Sequence, residues 1–100
     1  MKMIVNQYME QIADAKSVQE KHKVLKGLYE AVGEFEIRNG MKFMKFTYSR
    51  TNPKLEVEIY EVIFFSDMFS LLVKKVYTPE GELCDCAIME YYDEDFEMGE

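Results

Sequence analysis

The only histidine, His22, is the first residue to consider for catalysis, because imidazole exchanges protons near neutral pH. A general base also needs an orienting partner and a nucleophile or a water molecule within reach. The chain contains no second histidine and no serine in a nucleophile elbow. We therefore interpret His22 as a partly buried helix residue, and the sequence predicts no catalytic residue.

The two cysteines, Cys84 and Cys86, lie two positions apart on a predicted strand and are expected to point to the same face. Side chains at that spacing are poorly aimed for a mutual disulfide, and two thiolates do not complete a tetrahedral metal site. We interpret both as small buried apolar residues in a reducing compartment.

Two groups of carboxylates offer acid-base or metal chemistry: Glu56 with Glu58 on a predicted strand, and the run Asp93, Glu94 and Asp95. A glycosidase needs carboxylates that face each other across a cleft, and a calcium loop needs a glycine and a 12-residue spacing. Neither arrangement is present, and neither is a glycine-rich phosphate loop. We expect no enzyme activity, no metal and no cofactor.

The charge of the chain is divided unevenly along its 100 residues, which carry a net charge of −7. Residues 1–54 contain 10 Lys and Arg against 6 Asp and Glu, whereas residues 55–100 contain 2 against 13. The acidic second half repels polyanions and attracts basic protein surfaces. We therefore expect a protein partner with a basic surface and no direct nucleic-acid ligand.

No apolar run reaches the roughly 18 residues that span a bilayer, and the first residues lack the apolar core of a signal peptide. We expect a cytoplasmic protein with no membrane partner.

Apolar residues at helical spacing predict two helices, over residues 2–15 and 18–32. Ser17 and Glu20 have the spacing of a capping box at the start of the second helix, and Gly33 is placed to end it. One long helix is the alternative, because the apolar spacing continues through the proposed break. Residues 35–38 alternate like a short edge strand before the turn dipeptide Asn39-Gly40.

The turn at residues 78–82 is the strongest strand signal, since Pro79 and Gly81 fit a three-residue hairpin loop. It predicts strands over residues 68–76 and 83–92, with Lys75 opposite Asp85 and Val73 opposite Ala87. A short helix is the alternative for residues 68–76, whose apolar spacing also fits a helix.

Residues 41–50 and 55–65 predict an antiparallel pair around a loop at residues 51–54. If the turn is centred between Thr51 and Asn52, Tyr48 lies opposite Leu55 and Phe46 opposite Val57. Met44, Phe46 and Tyr48 then form an apolar face that packs on the core, where methionines such as Met9, Met44 and Met89 act as flexible filler.

The predicted fold is α+β, with two N-terminal helices, or one long helix, packed on a four-stranded antiparallel β-meander. Residues 1–92 are expected to form a single domain and residues 93–100 an acidic C-terminal tail. Two helices cover only one face of such a sheet. The other face, around Phe64, Leu72, Ile88 and Tyr92, is then a second packed layer or an interface.

The acidic and aromatic residues near the end of the sequence are the second candidate binding element. Their carboxylates would steer the chain towards a Lys- and Arg-rich groove, and their rings would serve as anchors. The alternative is a solvated terminus that aids solubility. The candidate residues are Glu90, Tyr91, Tyr92, Asp93, Glu94, Asp95, Phe96 and Glu97.

Small size, acidity and an apolar interface make the chain similar in kind to phage or mobile-element inhibitors, such as anti-CRISPR proteins, without a shared motif. The resemblance implies an inhibitor or adaptor that blocks a basic site on a nucleic-acid-handling enzyme. The alternative function is a homodimeric structural or assembly protein, or an acidic chaperone.

Overall fold

The structure is a computed structural model that describes residues 1–66 and 69–92, with Tyr91 and Tyr92 placed as strand positions only. Two helices precede a four-stranded antiparallel meander in the order β1-β2-β3-β4, which confirms the α+β prediction. The elements are α1 Lys2–Asp14, α2 Val18–Asn39, β1 Met44–Thr51, β2 Val57–Ser66, β3 Phe69–Tyr77 and β4 Leu83–Tyr92.

The break between the helices lies at Ser17, as the capping residues predict. The Ser17 hydroxyl accepts a hydrogen bond from the Glu20 backbone N–H at 3.1 Å, and the Glu20 carboxylate accepts one from the Lys16 N–H at 2.8 Å. The first contact satisfies a donor that a helix start leaves unpaired, and the second holds the residue before the cap against the first turn. The alternative of one long helix is therefore wrong.

The end of α2 differs from the prediction by two turns. Gly33 stays inside the helix, and Gly40 ends it with φ 59°, where its N–H donates to the carbonyls of Glu36 and Ile37. Asn39-Gly40 is thus a helix terminus, and the predicted edge strand over residues 35–38 is helical. A left-handed C-cap glycine and a turn glycine have the same local signature, which explains the error.

The first hairpin has a longer loop than predicted. Thr51 pairs with Val57, so Tyr48 lies opposite Tyr60 and Phe46 opposite Val62. The predicted register is wrong, because the Asn52 side chain organises a five-residue turn by accepting bonds from the N–H groups of Lys54 and Glu56, both at 3.0 Å. Asx turns of this kind extend a loop without leaving its backbone unsatisfied.

The second hairpin has the predicted loop and a shifted register. The Thr78 N–H donates to the Glu82 carbonyl at 2.7 Å, and Gly81 has φ 90°, as the three-residue loop requires. Tyr77 pairs with Leu83, but Val76 pairs with Asp85, so a β-bulge inserts Cys84. One inserted residue reverses the faces of the rest of β4. The pairs predicted beyond the loop are therefore wrong, and so is the helix alternative for residues 68–76.

The hydrophobic core lies between the helices and one face of the sheet. Its buried members come from both layers, and Phe65, the extra residue of a bulge in β2, packs against it. The cluster comprises Val5, Leu25, Leu28, Val32, Phe43, Ile63, Phe69, Leu71, Val73, Cys86 and Ile88. We call the sheet surface beneath the helices the covered face.

The helices lie over the β4 side of the sheet and leave β1 outside the core. All eight residues of β1 are exposed, although the strand is fully paired with β2 along one edge. Among residues 1–66 and 69–92, the face of the sheet opposite the helices is therefore left without a helix against it, and β1 and β4 are the two edge strands.

Candidate protein-interaction face

The sheet surface opposite the helices, which we call the open face, is largely apolar. Cross-strand partners share a face, so the register places these side chains together. The open face comprises Met44, Phe46, Tyr48, Tyr60, Val62, Phe64, Leu72 and Met89. Met44 is 72% exposed and Phe46 and Tyr48 are each 49% exposed, so the apolar row of β1 that was predicted to pack on the core lies largely in solvent.

Four aromatic rings form a continuous row on the open face. The Phe46 ring lies 5.7 Å from Phe64 and 6.2 Å from Tyr48, and Tyr48 stacks on Tyr60 at 4.9 Å. Each ring limits the rotamers of the next, so these side chains lose little conformational entropy when a ligand covers them. The row has the properties of anchor residues at protein interfaces.

A network of charged and polar side chains borders the open face at the end near the first hairpin loop. The buried Glu58 carboxylate accepts hydrogen bonds from Arg50 Nε at 2.6 Å, the Tyr60 hydroxyl at 2.8 Å and Asn52 Nδ2 at 3.1 Å. Lys74 Nζ lies 3.8 Å from the same carboxylate. The hydrogen bonds from Arg50, Asn52 and Tyr60 hold the pKa of Glu58 at about 2.

The Glu58 network has two consequences for the site. It pairs with both Arg50 and Lys74, so it offsets one of their two positive charges and lowers their repulsion of a basic ligand. It also ties the loop residue Asn52 to β2, which fixes the edge of the open face. Carboxylates of this kind serve as structural anchors more often than as proton donors, because their pKa lies far from neutral.

The structure separates the residues that the sequence assigned to one interface. Phe64 and Leu72 lie on the open face. Ile88 pairs with Val73 and belongs to the core, so its prediction as an interface residue is wrong. The cause is the bulge at Cys84, which turns Ile88 towards the helices.

The predicted acidic binding element falls mostly outside the described residues. Glu90 is half-buried and lies opposite Leu71, on the covered face. Tyr91 and Tyr92 lie opposite Ser70 and Phe69 as strand positions. The remaining candidates, Asp93, Glu94, Asp95, Phe96 and Glu97, lie outside the described part of the chain.

His22 is exposed on α2, not partly buried as predicted. Both cysteines are free thiols, but they do not share a face: Cys86 is in the core, whereas Cys84 lies 3.7 Å from the Glu56 carboxylate. Burial raises the pKa of each thiol, and the neighbouring acids Glu56 and Asp85 raise it further. Thiols in such surroundings are weak nucleophiles.

A small cavity of about 120 Å³ lies on the covered side of the sheet, beside β1. The Tyr29 hydroxyl donates to Glu61, and burial together with this carboxylate raises the pKa of Tyr29 well above its usual range. Lys75 Nζ lies 5.5 Å from the Tyr29 ring centroid. The side chains of Tyr29, Glu61 and Lys75 therefore interact with one another and connect α2 to β2 and β3.

Among residues 1–66 and 69–92, no group of three or more His, Cys, Asp or Glu side chains is arranged to hold a metal ion. No helix in this part of the chain has the length and apolar character needed to cross a membrane. No family model, curated protein or solved structure matches the chain.

Sequence reasoning did not place Met44, Phe46 and Tyr48 on an exposed face, because it assigned their side of the sheet to the core. One signal was available: Val62, Ile63, Phe64 and Phe65 are apolar at both strand parities, which indicates two apolar faces. Pattern alone does not say which face the helices cover.

Proposed function

We propose that this chain is a protein-binding module, an inhibitor or adaptor, that docks its open face on a partner protein with a basic surface. The observation that carries the proposal is the row of half-exposed rings on a sheet face that neither α1 nor α2 covers in the described part of the chain. Exposed apolar patches of this kind on a small protein indicate an interaction site.

The expected basic character of the partner follows from the charges beside the open face. The described residues after Val76 carry Glu80 and Glu82 in the hairpin loop and Asp85 on the open-face side of β4, and they include no Lys or Arg. Glu58 pairs with the open-face cations Arg50 and Lys74 and offsets one of their two positive charges. A partner that presents an apolar patch flanked by basic residues would therefore match both the face and the β4 side.

A basic site that normally holds nucleic-acid phosphates has this chemistry. An acidic protein that covers such a site would exclude the nucleic acid by mass action. We therefore propose a nucleic-acid-handling protein as the partner class and the cytoplasm as the location. In this role the chain performs no reaction of its own.

The test compares partner capture by three tagged forms of the full chain. The face variant carries Phe46→Thr and Tyr48→Thr, which remove the rings and keep residues suited to a strand. The matched control carries Met3→Gln and Ile37→Gln, because these apolar residues are 86% and 84% exposed on the helices. Capture from host lysate identifies a partner, and its purified form then gives dissociation constants at low and high salt.

The proposal predicts that the face variant binds the purified partner at least about thirtyfold more weakly, since interface anchors dominate affinity. The control should bind like the unaltered chain, and high salt should weaken all complexes. Equal affinity of the face variant and the control would refute docking through the open face. An affinity that is independent of salt would refute the basic partner.

A further inference from the structure

The outer edge of β1 has no partner in the described fold. β1 pairs with β2 through all eight residues without a bulge, and among residues 1–66 and 69–92 no strand lies beside its other edge. The strand contains no proline, and all of its residues are exposed. Such an edge presents a row of unpaired backbone N–H and C=O groups, which is a template for an added strand.

β4, the other edge strand, lacks these properties. Its pairing with β3 is interrupted by the bulge at Cys84, and a bulge twists an edge away from further pairing. The helices contact the sheet mainly at β4, so they lie on the side of the sheet away from β1. Of the two edges, β1 is therefore the one suited to receive a strand.

The two charges of β1 are held within their own chain. Lys45 Nζ lies 3.2 Å from the Glu36 carboxylate, and Arg50 Nε lies 2.6 Å from the Glu58 carboxylate. A lysine on an edge strand commonly prevents pairing, because an added strand would meet its charge. These ion pairs weaken that protection in β1, whose other six residues are uncharged.

We propose that the outer edge of β1 pairs with β1 of a second copy of the chain, antiparallel and around a two-fold axis at Thr47. The axis is perpendicular to the sheet, so each side chain lies opposite one from the same face. Phe46 then lies opposite Tyr48 of the second copy, and Tyr48 opposite Phe46 of the second copy. On the covered side Thr47 lies opposite its own copy, and Lys45 lies opposite Ser49.

This register suits the chemistry of both side-chain rows of β1. Aromatic pairs and threonine pairs are favourable cross-strand contacts, and both lie at its centre. Arg50 falls opposite Met44, so no cation is directly opposite another cation. A shift by two residues in either direction would leave one aromatic pair instead of two. A two-fold pairing also uses both β1 edges, so assembly stops at the dimer.

The dimer would carry the two open faces on the same side of one eight-stranded sheet. In each copy the ring row runs from Tyr60 through Tyr48 and Phe46 to Phe64. The contact of Phe46 with Tyr48 across the axis would connect the two rows and leave both open faces uncovered. Self-association through the backbone edge is therefore independent of partner docking through the exposed rings.

Sedimentation velocity on the full chain over a range of concentrations measures the association. The edge variant carries Thr47→Lys, which puts two like charges directly opposite each other at the two-fold axis. Within one chain position 47 lies opposite Glu61, so the added charge meets an opposite charge there and the rings stay in place. The control carries Gln7→Lys, which makes the same charge change at an exposed position of α1.

The unaltered chain and the Gln7→Lys control should form dimers that persist at high salt, because backbone hydrogen bonds and apolar pairs hold them. At low salt Thr47→Lys should associate at least about tenfold more weakly, since like charges directly opposite destabilise a strand pair. A monomer at up to about 1 mM of the unaltered chain would overturn the inference. Equal association of the edge variant and the control would also overturn it.

Disulfide trapping tests the register. In a Cys84→Ser background, Thr47→Cys places two thiols opposite each other, where the Cα atoms of antiparallel partners lie about 4.5 to 5.5 Å apart, within disulfide range. The matched control Thr51→Cys separates its two thiols by roughly 27 Å along the strands. Mild oxidation should cross-link only the Thr47→Cys chains. Equal cross-linking of both variants, or none with Thr47→Cys, would contradict the proposed pairing.

Discussion

The two faces of the sheet have similar residue types and opposite environments. The covered face buries Ile63, Leu71 and Val73 completely or nearly so, whereas Phe46, Tyr48 and Met44 on the open face remain half or more exposed. The difference does not come from hydrophobicity. It comes from the position of the two helices, which lie over the β4 side of one face only.

Apolar side chains therefore have two different roles in the same small sheet. On the covered face it stabilises the fold by removing apolar area from water. On the open face the exposed area of Met44, Phe46 and Tyr48 contributes less to folding and is available for association, whereas Leu72 is buried there. Substitutions on the covered face should therefore lower the free energy of unfolding, whereas substitutions of exposed rings on the open face should mainly weaken partner binding.

The largest effect is expected in the core beneath the helices. Leu28 has no exposed area, and Leu28→Ala should lower the free energy of unfolding by about 3 kcal/mol through lost burial and a residual cavity. Urea unfolding followed by circular dichroism measures this value. A loss below about 1 kcal/mol would contradict the packing of α2 on the sheet.

Stability in acid should depend on Glu58, the charged residue of the open face that is buried. Its pKa is about 2 in the folded chain against an ordinary value of 4.5. Its contribution is therefore complete above about pH 4.5 and is lost as the pH falls towards 2.

The measurement for Glu58 is the urea midpoint as a function of pH. Glu58→Gln should lower the midpoint at neutral pH and flatten its fall between about pH 4.5 and 2. Glu80→Gln, on the exposed hairpin loop, is the matched control and should retain the full acid dependence. Identical pH profiles for Glu58→Gln and the unaltered chain would contradict the network.

Two glycines in the α2 region should respond to alanine with opposite signs. Gly40 has φ 59° at the end of α2, and Gly40→Ala should cost about 1 kcal/mol of stability. Gly33 lies within the helix with no atom within 4 Å of an added Cβ, so Gly33→Ala should add up to about 1 kcal/mol.

Thermal unfolding of both glycine variants tests where the helix ends. If α2 ended at Gly33, as the sequence pattern indicates, Gly33→Ala would destabilise the chain instead. Gly27→Ala provides a third comparison, because the added Cβ would lie 3.0 Å from Tyr8 Cε1 where the helices pack. Its gain should therefore be smaller than that of Gly33→Ala.

The smallest effect on stability is expected on the open face. Phe46→Ala should change the free energy of unfolding by at most about 1 kcal/mol, since the ring is half-exposed and loses only cross-strand contacts. The same urea titration used for Leu28→Ala gives the direct comparison. Equal losses for the two variants would show that the open face is packed in solution.

The sequence predicted the parts of the fold that local chemistry controls. The capping residues Ser17 and Glu20 located the start of α2, and Pro79 with Gly81 located the second hairpin loop. Such signals act through hydrogen bonds and dihedral preferences over three or four residues, so they can be read without the rest of the chain.

Part of the candidate site was also predictable. Phe64 and Leu72 were placed on an uncovered face because a strand apolar at both parities needs two apolar environments. Ile88 was misplaced because a single inserted residue, Cys84, reverses the faces of β4. The rings of Phe46 and Tyr48 were assigned to the core because the pattern of β1 is the same for a buried and an exposed apolar row.

The sequence by itself therefore determined the order and type of the two helices and four strands, the capped start of α2 and the second turn, whereas residues 35–38, expected to form a short strand, are helical. Tertiary structure decided the hairpin registers, the continuation of α2 to Asn39 and the side of the sheet that the helices cover. The physical reason is the range of the interactions. Caps and turns are settled between near neighbours, whereas a register or a covered face is settled by burial summed over distant residues, where a shift of one residue reverses the outcome.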